Sequence, residues 1–394
     1  MHQSIQPSNL TTPAAPVRDG GAGTPIPMFD LTRQYRQIGR ELEAAVLAVL
    51  SRTEYVGGTA VAEFEKLLGD FCKAQAIAIS SGTDAILASL MALHIGPGDL
   101  VITTPFTFFA TGGCIARTGA KPVFVDIHPD TFLLNQDAVE QALKPAVRCV
   151  IPVHLFGQMM PMKALVKWAC DHGISVLEDA AQCIGAHDPD GIVPGELSAA
   201  AALSFYPTKN LGAAGDAGAV LTRMDAFAAR IRQTRQHGEV SRYVHDFVGG
   251  NFRLDAMQCA ILTAKLTHLP QWNLRRNEIA TFYDAALAET DVIPPTRIPH
   301  ARHVFHQYVI RTPKRDELKE YLARQGIGSM VYYPKPLHLQ QCFADLGYRP
   351  GSLPVAEAAC REVLALPIFP ELTEQELNRV ANAIRGFFGK RAMA

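Results

Sequence analysis

Ser204-Phe205-Tyr206-Pro207-Thr208-Lys209-Asn210-Leu211-Gly212 closes a short apolar run that begins at Ala202. It turns at a proline and sets one lysine before a glycine-bounded loop, with Gly215 and Gly218 just beyond. Similar apolar, β-branched runs recur upstream, at 76–79, 100–104, 122–126, 149–153 and 175–178, and again downstream at 218–222. Helical patterns at 83–93, 138–143 and 162–171 separate several of them. Strands spaced by crossover helices predict an α/β fold, with a mostly parallel seven-stranded sheet between helices. The last two strands, 202–205 and 218–222, lie so close in sequence that one is expected to run antiparallel.

Outside this region the periodicity predicts helices at 40–50 and 61–72, joined by the turn Glu54-Tyr55-Val56-Gly57-Gly58. Further helices are expected at 225–236, 255–266 and 276–287. Beyond about residue 292 there is one strand candidate at 305–310, followed by helices at 315–325, 355–364 and 374–387. This is the pattern of a smaller α+β unit. The expected organisation is a flexible tail over 1–25, a large domain over 26–270 and a small C-terminal domain over 271–394. The tail is rich in Pro, Gly, Thr and Ala, with neither a basic start nor an apolar stretch, so it does not read as a signal peptide.

Lys and Arg number 37 against 38 Asp and Glu, and no long basic run stands out, so electrostatics give no argument for nucleic acid or an anionic membrane as partner. No window is long and apolar enough for a membrane span. Eight scattered cysteines without a CxxC pair read as free thiols in a reducing, cytoplasmic setting. The histidines show neither H-x-x-x-H nor H-E-x-x-H spacing, so no metal site is expected. There is no G-x-S-x-G elbow for a hydrolase triad.

An isolated lysine is most often a solvated surface group. Lys209 differs in following a sheet strand within a glycine-rich loop, where desolvation would lower its pKa and favour imine formation. Asp179 ends the run at 175–178, where a carboxylate can hold a ring nitrogen protonated; Glu178 alternates to the other side and reads as structural. Gln182 would reach the same ring if a helix began after Asp179. Ser81-Gly82-Thr83-Asp84 joins a strand to a helix, and the amides of Thr83 and Asp84, with the Thr83 hydroxyl, would form a phosphate cup. Ser204 is a second hydroxyl candidate, and Phe108 could stack on a flat cofactor. An amine, a carboxylate, a phosphate cup and a stacking ring together are what pyridoxal 5'-phosphate requires.

These residues resemble those of the DegT/DnrJ/EryC1/StrS aminotransferases, pyridoxal-phosphate enzymes of fold type I. The resemblance spans most of 29–388. It includes Thr104-Pro105-Phe106-Thr107-Phe108, Pro152-Val153-His154-Leu155-Phe156-Gly157, Glu178-Asp179-Ala180-Ala181-Gln182, the stretch from Ser204 to Gly212, and Gly250-Asn251-Phe252-Arg253. It implies that Lys209 forms the Schiff base and that Asp179 partners the pyridine nitrogen, with Gln182 and Phe108 flanking the ring. Gly82, Thr83, Asp84 and Ser204 would hold the phosphate, and Asn251 would reach it from the other subunit of a homodimer with shared sites. His154, Tyr333 and His338 would lie near the sugar nucleotide.

The implied reaction is a ping-pong transfer of the amino group of L-glutamate, by way of pyridoxamine 5'-phosphate, to a keto carbon of a nucleotide-linked keto-deoxysugar. C3 is favoured over C4. The alternatives are a dehydratase using the same cofactor and a non-catalytic regulatory homologue. The dehydrating branch usually carries histidine at the position of Lys209, so lysine here points to transamination. Gly249-Gly250 and the 188–200 segment depart from the usual pattern, which bears on the sugar pocket rather than on the cofactor.

Overall fold

The computed structural model describes residues 23–390 together with 392 and 393. The expected tail therefore lies mostly outside the described residues. Helices α1 (Leu31–Arg52) and α2 (Gly58–Cys72) lead into a seven-stranded sheet. Its strands are β1 (Gln75–Ile79), β2 (Leu100–Thr103), β3 (Lys121–Phe124), β4 (Val147–Ile151), β5 (Ser175–Asp179), β6 (Ala200–Ser204) and β7 (Gly218–Thr222), in the spatial order β1-β7-β6-β5-β4-β2-β3. All seven expected strands are present. The antiparallel one is β7, which pairs in that sense with both β1 and β6.

Alternate residues of each strand feed two separate cores. Ala76, Ala78, Ile102, Val150, Val176 and Ala201 belong to one. Ile77, Ile79, Val101, Cys149, Leu177 and Ala202 belong to the other. Burial on both faces explains why these strands read as continuous apolar runs. The helices covering the sheet include α3 (Gly82–Ala92), α4 (Phe109–Arg117), α5 (Gln136–Gln141) and α6 (Met162–Asp171).

After β7 come α7 (Asp225–Thr234), a short hairpin of β8 (Glu239–Ser241) and β9 (Val244–His245), then α8 (Ala256–Leu266) and α9 (Leu269–Leu287). The smaller unit pairs β10 (Tyr308–Arg311) antiparallel with β11 (Val363–Leu366). Packed with it are α10 (Arg315–Arg324), α11 (Pro354–Glu362) and α12 (Glu374–Phe387). The last begins in a reciprocal cap between Thr373 and Glu376. Glu376 also receives both Nη atoms of Arg33 on α1, at 2.7 and 2.6 Å, tying the first helix to the last.

The structure departs from the expected elements in four places. The helix expected at 355–364 ends at Glu362, and the fully buried run Val363–Leu366 is a strand. A short apolar run carries no period that separates helix from strand, and its partner β10 decides it. Helix α4 has no counterpart in the sequence reading, and its Gly112 and Gly113 lower its propensity. Packing overrides that preference: a Cβ on Gly112 would lie 3.1 Å from Leu337 and 3.3 Å from Phe124. Helix α9 starts at Leu269, earlier than 276, and runs through the expected boundary at 270, with Leu269 in the large core and Ile279, Tyr283 and Leu287 in the small one. Ile26, at the expected start of the large domain, is buried in the small one, and its backbone pairs with Gly326 and Gly328.

Candidate active site

A cavity of about 480 Å³ opens at the carboxyl ends of the parallel strands, where such sheets place their ligands. Gly82, Thr83, Phe108, Asp179, Gln182, Ser204, Lys209 and Tyr333 all line it.

Lys209 is held by a loop that folds back on itself. Its amide donates to the Tyr206 carbonyl at 2.8 Å, and Ala213 N returns to the Phe205 carbonyl at 2.8 Å. A Cβ on Gly212 would lie 2.2 Å from the Pro207 carbonyl oxygen, so only glycine closes this turn. Beneath the loop, the buried amine of Lys265 donates to the Gly212 carbonyl at 2.8 Å. Next to the lysine, Asn210 Nδ2 donates to Asn273 Oδ1 and to the Val304 carbonyl. Removal from water lowers the Lys209 amine to about 8, while the negative charge of Asp179 acts in the opposite direction.

Asp179 is almost fully buried at the end of β5. Its Oδ2 accepts from Thr111 Oγ1 at 2.7 Å and its Oδ1 from the Ala181 amide at 3.2 Å. A turn follows Asp179, not the helix that would have aimed Gln182 at the cofactor ring. The Gln182 side chain instead accepts from the Phe156 amide at 2.7 Å and donates to the Tyr333 hydroxyl at 3.2 Å. Burial raises the Tyr333 phenol well above its ordinary value. Phe108 is 58 % exposed at the start of α4, with its ring 6.5 Å from that of Tyr333.

The phosphate cup forms with one change. Ser81 caps α3 by accepting from the Asp84 amide at 3.0 Å, so that amide is occupied, and Asp84 does not line the cavity. Gly82 and Thr83 are the first two helical residues, whose N–H groups have no partner within a helix. Together with Ser204 they line the cavity, so a helix start with unpaired amides faces it, the arrangement that suits an anion. A Cβ on Gly82 would sit 2.6 Å from the Ser204 Cβ. One on Gly218 would sit 2.5 Å from the Ser81 carbonyl. Both glycines let the turn lie against β6 and β7.

Two histidines are not presented to this cavity. His154 is buried with Nε2 2.6 Å from Glu178 Oε2, and its Nδ1 receives the Met160 amide. His338 is buried with Nε2 3.1 Å from Glu357 Oε1. Neither histidine lines the cavity of its own chain, and each ring is held by a buried carboxylate through Nε2. Asn251 is exposed and lies outside the cavity of its own chain.

Sequence reasoning passed over Thr107, Thr111, Tyr206, His306, Gln307 and Tyr332. All but Thr111 line the cavity. Burial, with the nearby Lys209 and Arg276 cations, keeps His306 neutral by pushing its pKa well down. Thr111 lies in the first turn of α4 and Thr107 just before its N-cap Phe108, so no sequence spacing singles them out. Among the described residues, no group of three or more His, Cys, Asp or Glu could hold a metal, and no helix is long and apolar enough to cross a membrane.

The residues present fit pyridoxal phosphate: a desolvated amine and a buried carboxylate share one cavity with a helix start whose Gly82 leaves no room for a side chain beside Ser204. The family model described as the DegT/DnrJ/EryC1/StrS aminotransferase family matches residues 36–385. The chain is 47 % identical over 367 residues to a pleiotropic regulatory protein of Geobacillus stearothermophilus, covering 92 % of this chain and 98 % of that one. It is 40 % identical to the dTDP-3-amino-3,4,6-trideoxy-alpha-D-glucose transaminase of Streptomyces venezuelae, covering 92 % and 97 %. In structure it is similar to DesV of S. venezuelae, solved in complex with a ketimine intermediate, with a TM-score of 0.91, 39 % identity and coverage of 93 % and 100 %. The chain belongs to the DegT/DnrJ/EryC1/StrS family of pyridoxal-phosphate-dependent aminotransferases of fold type I.

Proposed function

We propose that this enzyme transfers the amino group of L-glutamate to a keto carbon, C3 in preference to C4, of a nucleotide-linked keto-deoxysugar. The observation that carries the reading is the convergence of Lys209 and Asp179 on one cavity whose far end is the Gly82-Thr83 cup. The C3 preference is supported by the name of the Streptomyces transaminase, whose product bears its amine there.

When bound, pyridoxal phosphate supplies a carbonyl that condenses with amines and a protonated ring that withdraws electrons from the neighbouring carbon. Lys209 would anchor it and would take and return the proton at the amine-bearing carbon. With its pKa near 8, roughly a tenth of this amine is free base at pH 7, against less than about a thousandth for an ordinary lysine. Asp179 would face the ring nitrogen, and Gly82, Thr83 and Ser204 would hold the phosphate. Phe108 and Tyr333 would wall the ring and exclude water from it. Asn251 completes the cup of a second copy in a homodimer. This is supported by its exposure outside its own cavity and by the exposed apolar residues Leu47, Tyr55, Val56 and Val248.

The test is amino transfer from nitrogen-15 glutamate to a panel of dTDP-, UDP- and GDP-linked 3-keto and 4-keto sugars, followed by mass spectrometry. Equimolar 2-oxoglutarate and labelled 3-amino sugar are expected. Amination only at C4 would overturn the regiochemistry, and loss of a hydroxyl without nitrogen transfer would overturn the reaction class.

A further inference from the structure

The hydroxyl of Thr111 donates one proton, and two acceptors compete for it. Asp179 Oδ2 lies at 2.7 Å and the Phe108 carbonyl at 3.4 Å. The shorter contact, to a carboxylate, takes the proton. Thr107 Oγ1 lies 3.1 Å from Thr111 Oγ1 and is therefore the donor of that pair. The result is a one-way chain, Thr107 to Thr111 to Asp179. Thr107, Thr111 and Asp179 are all buried, so these hydroxyls do not exchange freely with water. Thr111 lies in the first turn of α4, immediately after Phe108, so one short segment carries both the candidate stacking ring and this chain.

Resting on the reading that the cavity holds pyridoxal phosphate with Asp179 at its ring nitrogen, we propose that Thr107 and Thr111 are positioning residues that fix the rotation of the Asp179 carboxylate. Oδ2 is committed to the threonine chain and Oδ1 is steadied by the Ala181 amide, so the carboxylate keeps one orientation towards the ring. Without Thr111 it is free to turn, and a buried acceptor loses a hydrogen bond. The ring-nitrogen contact then weakens while the phosphate cup and Lys209 are untouched.

The readout is affinity rather than turnover. The full-length chain, stripped of cofactor, is titrated with pyridoxal phosphate and with its 1-deaza analogue, which keeps the aldehyde, hydroxyl and phosphate and replaces the ring nitrogen by a C–H. The ratio of the two dissociation constants isolates the contact to Asp179. Asp179→Asn should abolish the preference for pyridoxal phosphate. Thr111→Val should reduce it about tenfold with the deaza affinity unchanged, and Thr111→Ser should restore it. Thr107→Val, which spares the direct bond, should reduce it about threefold and serves alone if Thr111→Val does not fold. An unaltered ratio in the threonine variants beside a collapsed ratio in Asp179→Asn overturns the proposal. Equal weakening of both ligands assigns the threonines a merely structural role, which also overturns it. An unaltered ratio in Asp179→Asn overturns the placement of Asp179 itself, and the proposal with it.

Discussion

Glu178 and Asp179 are consecutive on β5 and point to opposite sides of the strand. Asp179 lines the cavity, while Glu178 is buried against His154 at 2.6 Å, Ser198 Oγ at 2.5 Å and the Gly195 amide at 2.9 Å. The Met160 amide donates to His154 Nδ1, which leaves Nε2 as the donor to Glu178. Glu178 thus pins the strand end from behind and holds Asp179 in front. His154→Ala would remove one of three donors to a buried carboxylate and open a cavity beside it, and should destabilise the fold by about 3 kcal/mol in urea unfolding. A loss below about 1 kcal/mol would contradict this role.

Gly82→Ala should damage cofactor binding more than stability. The added methyl would overlap Ser204 and push the helix-start amides away from the phosphate. The dissociation constant for pyridoxal phosphate should rise at least about tenfold. Thermal unfolding of the apoprotein should show only a modest shift. Unchanged cofactor affinity would place the phosphate elsewhere.

Covalent capture of added pyridoxal phosphate by the apoprotein should accelerate with pH, with a midpoint near 8, because only the neutral amine of Lys209 attacks. The charge of Asp179 raises that amine's pKa, so Asp179→Asn should move the midpoint to lower pH. Stopped-flow absorbance over pH 6–10 reads both, and a midpoint moving upward in the variant would refute the coupling.

Mixing Asn251→Ala with Lys209→Ala protein tests whether sites are shared between copies. Each heterodimer would hold one doubly damaged site and one with both residues intact, so activity should exceed that of either parent. No recovery, with subunit exchange shown by native mass spectrometry, would mean that each chain completes its own site.

Much of the architecture was readable because the sheet is buried on both faces, which writes each strand as an apolar run. Lys209, Asp179 and the Gly82-Thr83 turn were readable because the sequence sets them at strand ends. What escaped depends on contacts between distant segments. The Asp84 amide is capped by Ser81 three residues away, a local competition that leaves Gly82 and Thr83 as the free donors. The partners of His154 and His338 come from other segments, Glu178 and Glu357, and no spacing announces them. Thr111 meets Asp179 only because α4 packs against the end of β5, 68 residues along the chain.

Strand β7 carries a consequence for the order of assembly. It separates β1 from β6, with Gly218 opposite Ile79 on one side and Ser204 on the other. The Ser81-Gly82-Thr83 turn leaves the ribosome early, but the strand that leads into it has no sheet neighbour until β7, far downstream, slots into the gap between β1 and β6. Contacts so distant along the chain form slowly. Cofactor capture therefore reports that this insertion has happened, and a nascent chain short of β7 should remain colourless with pyridoxal phosphate however well its earlier strands have paired.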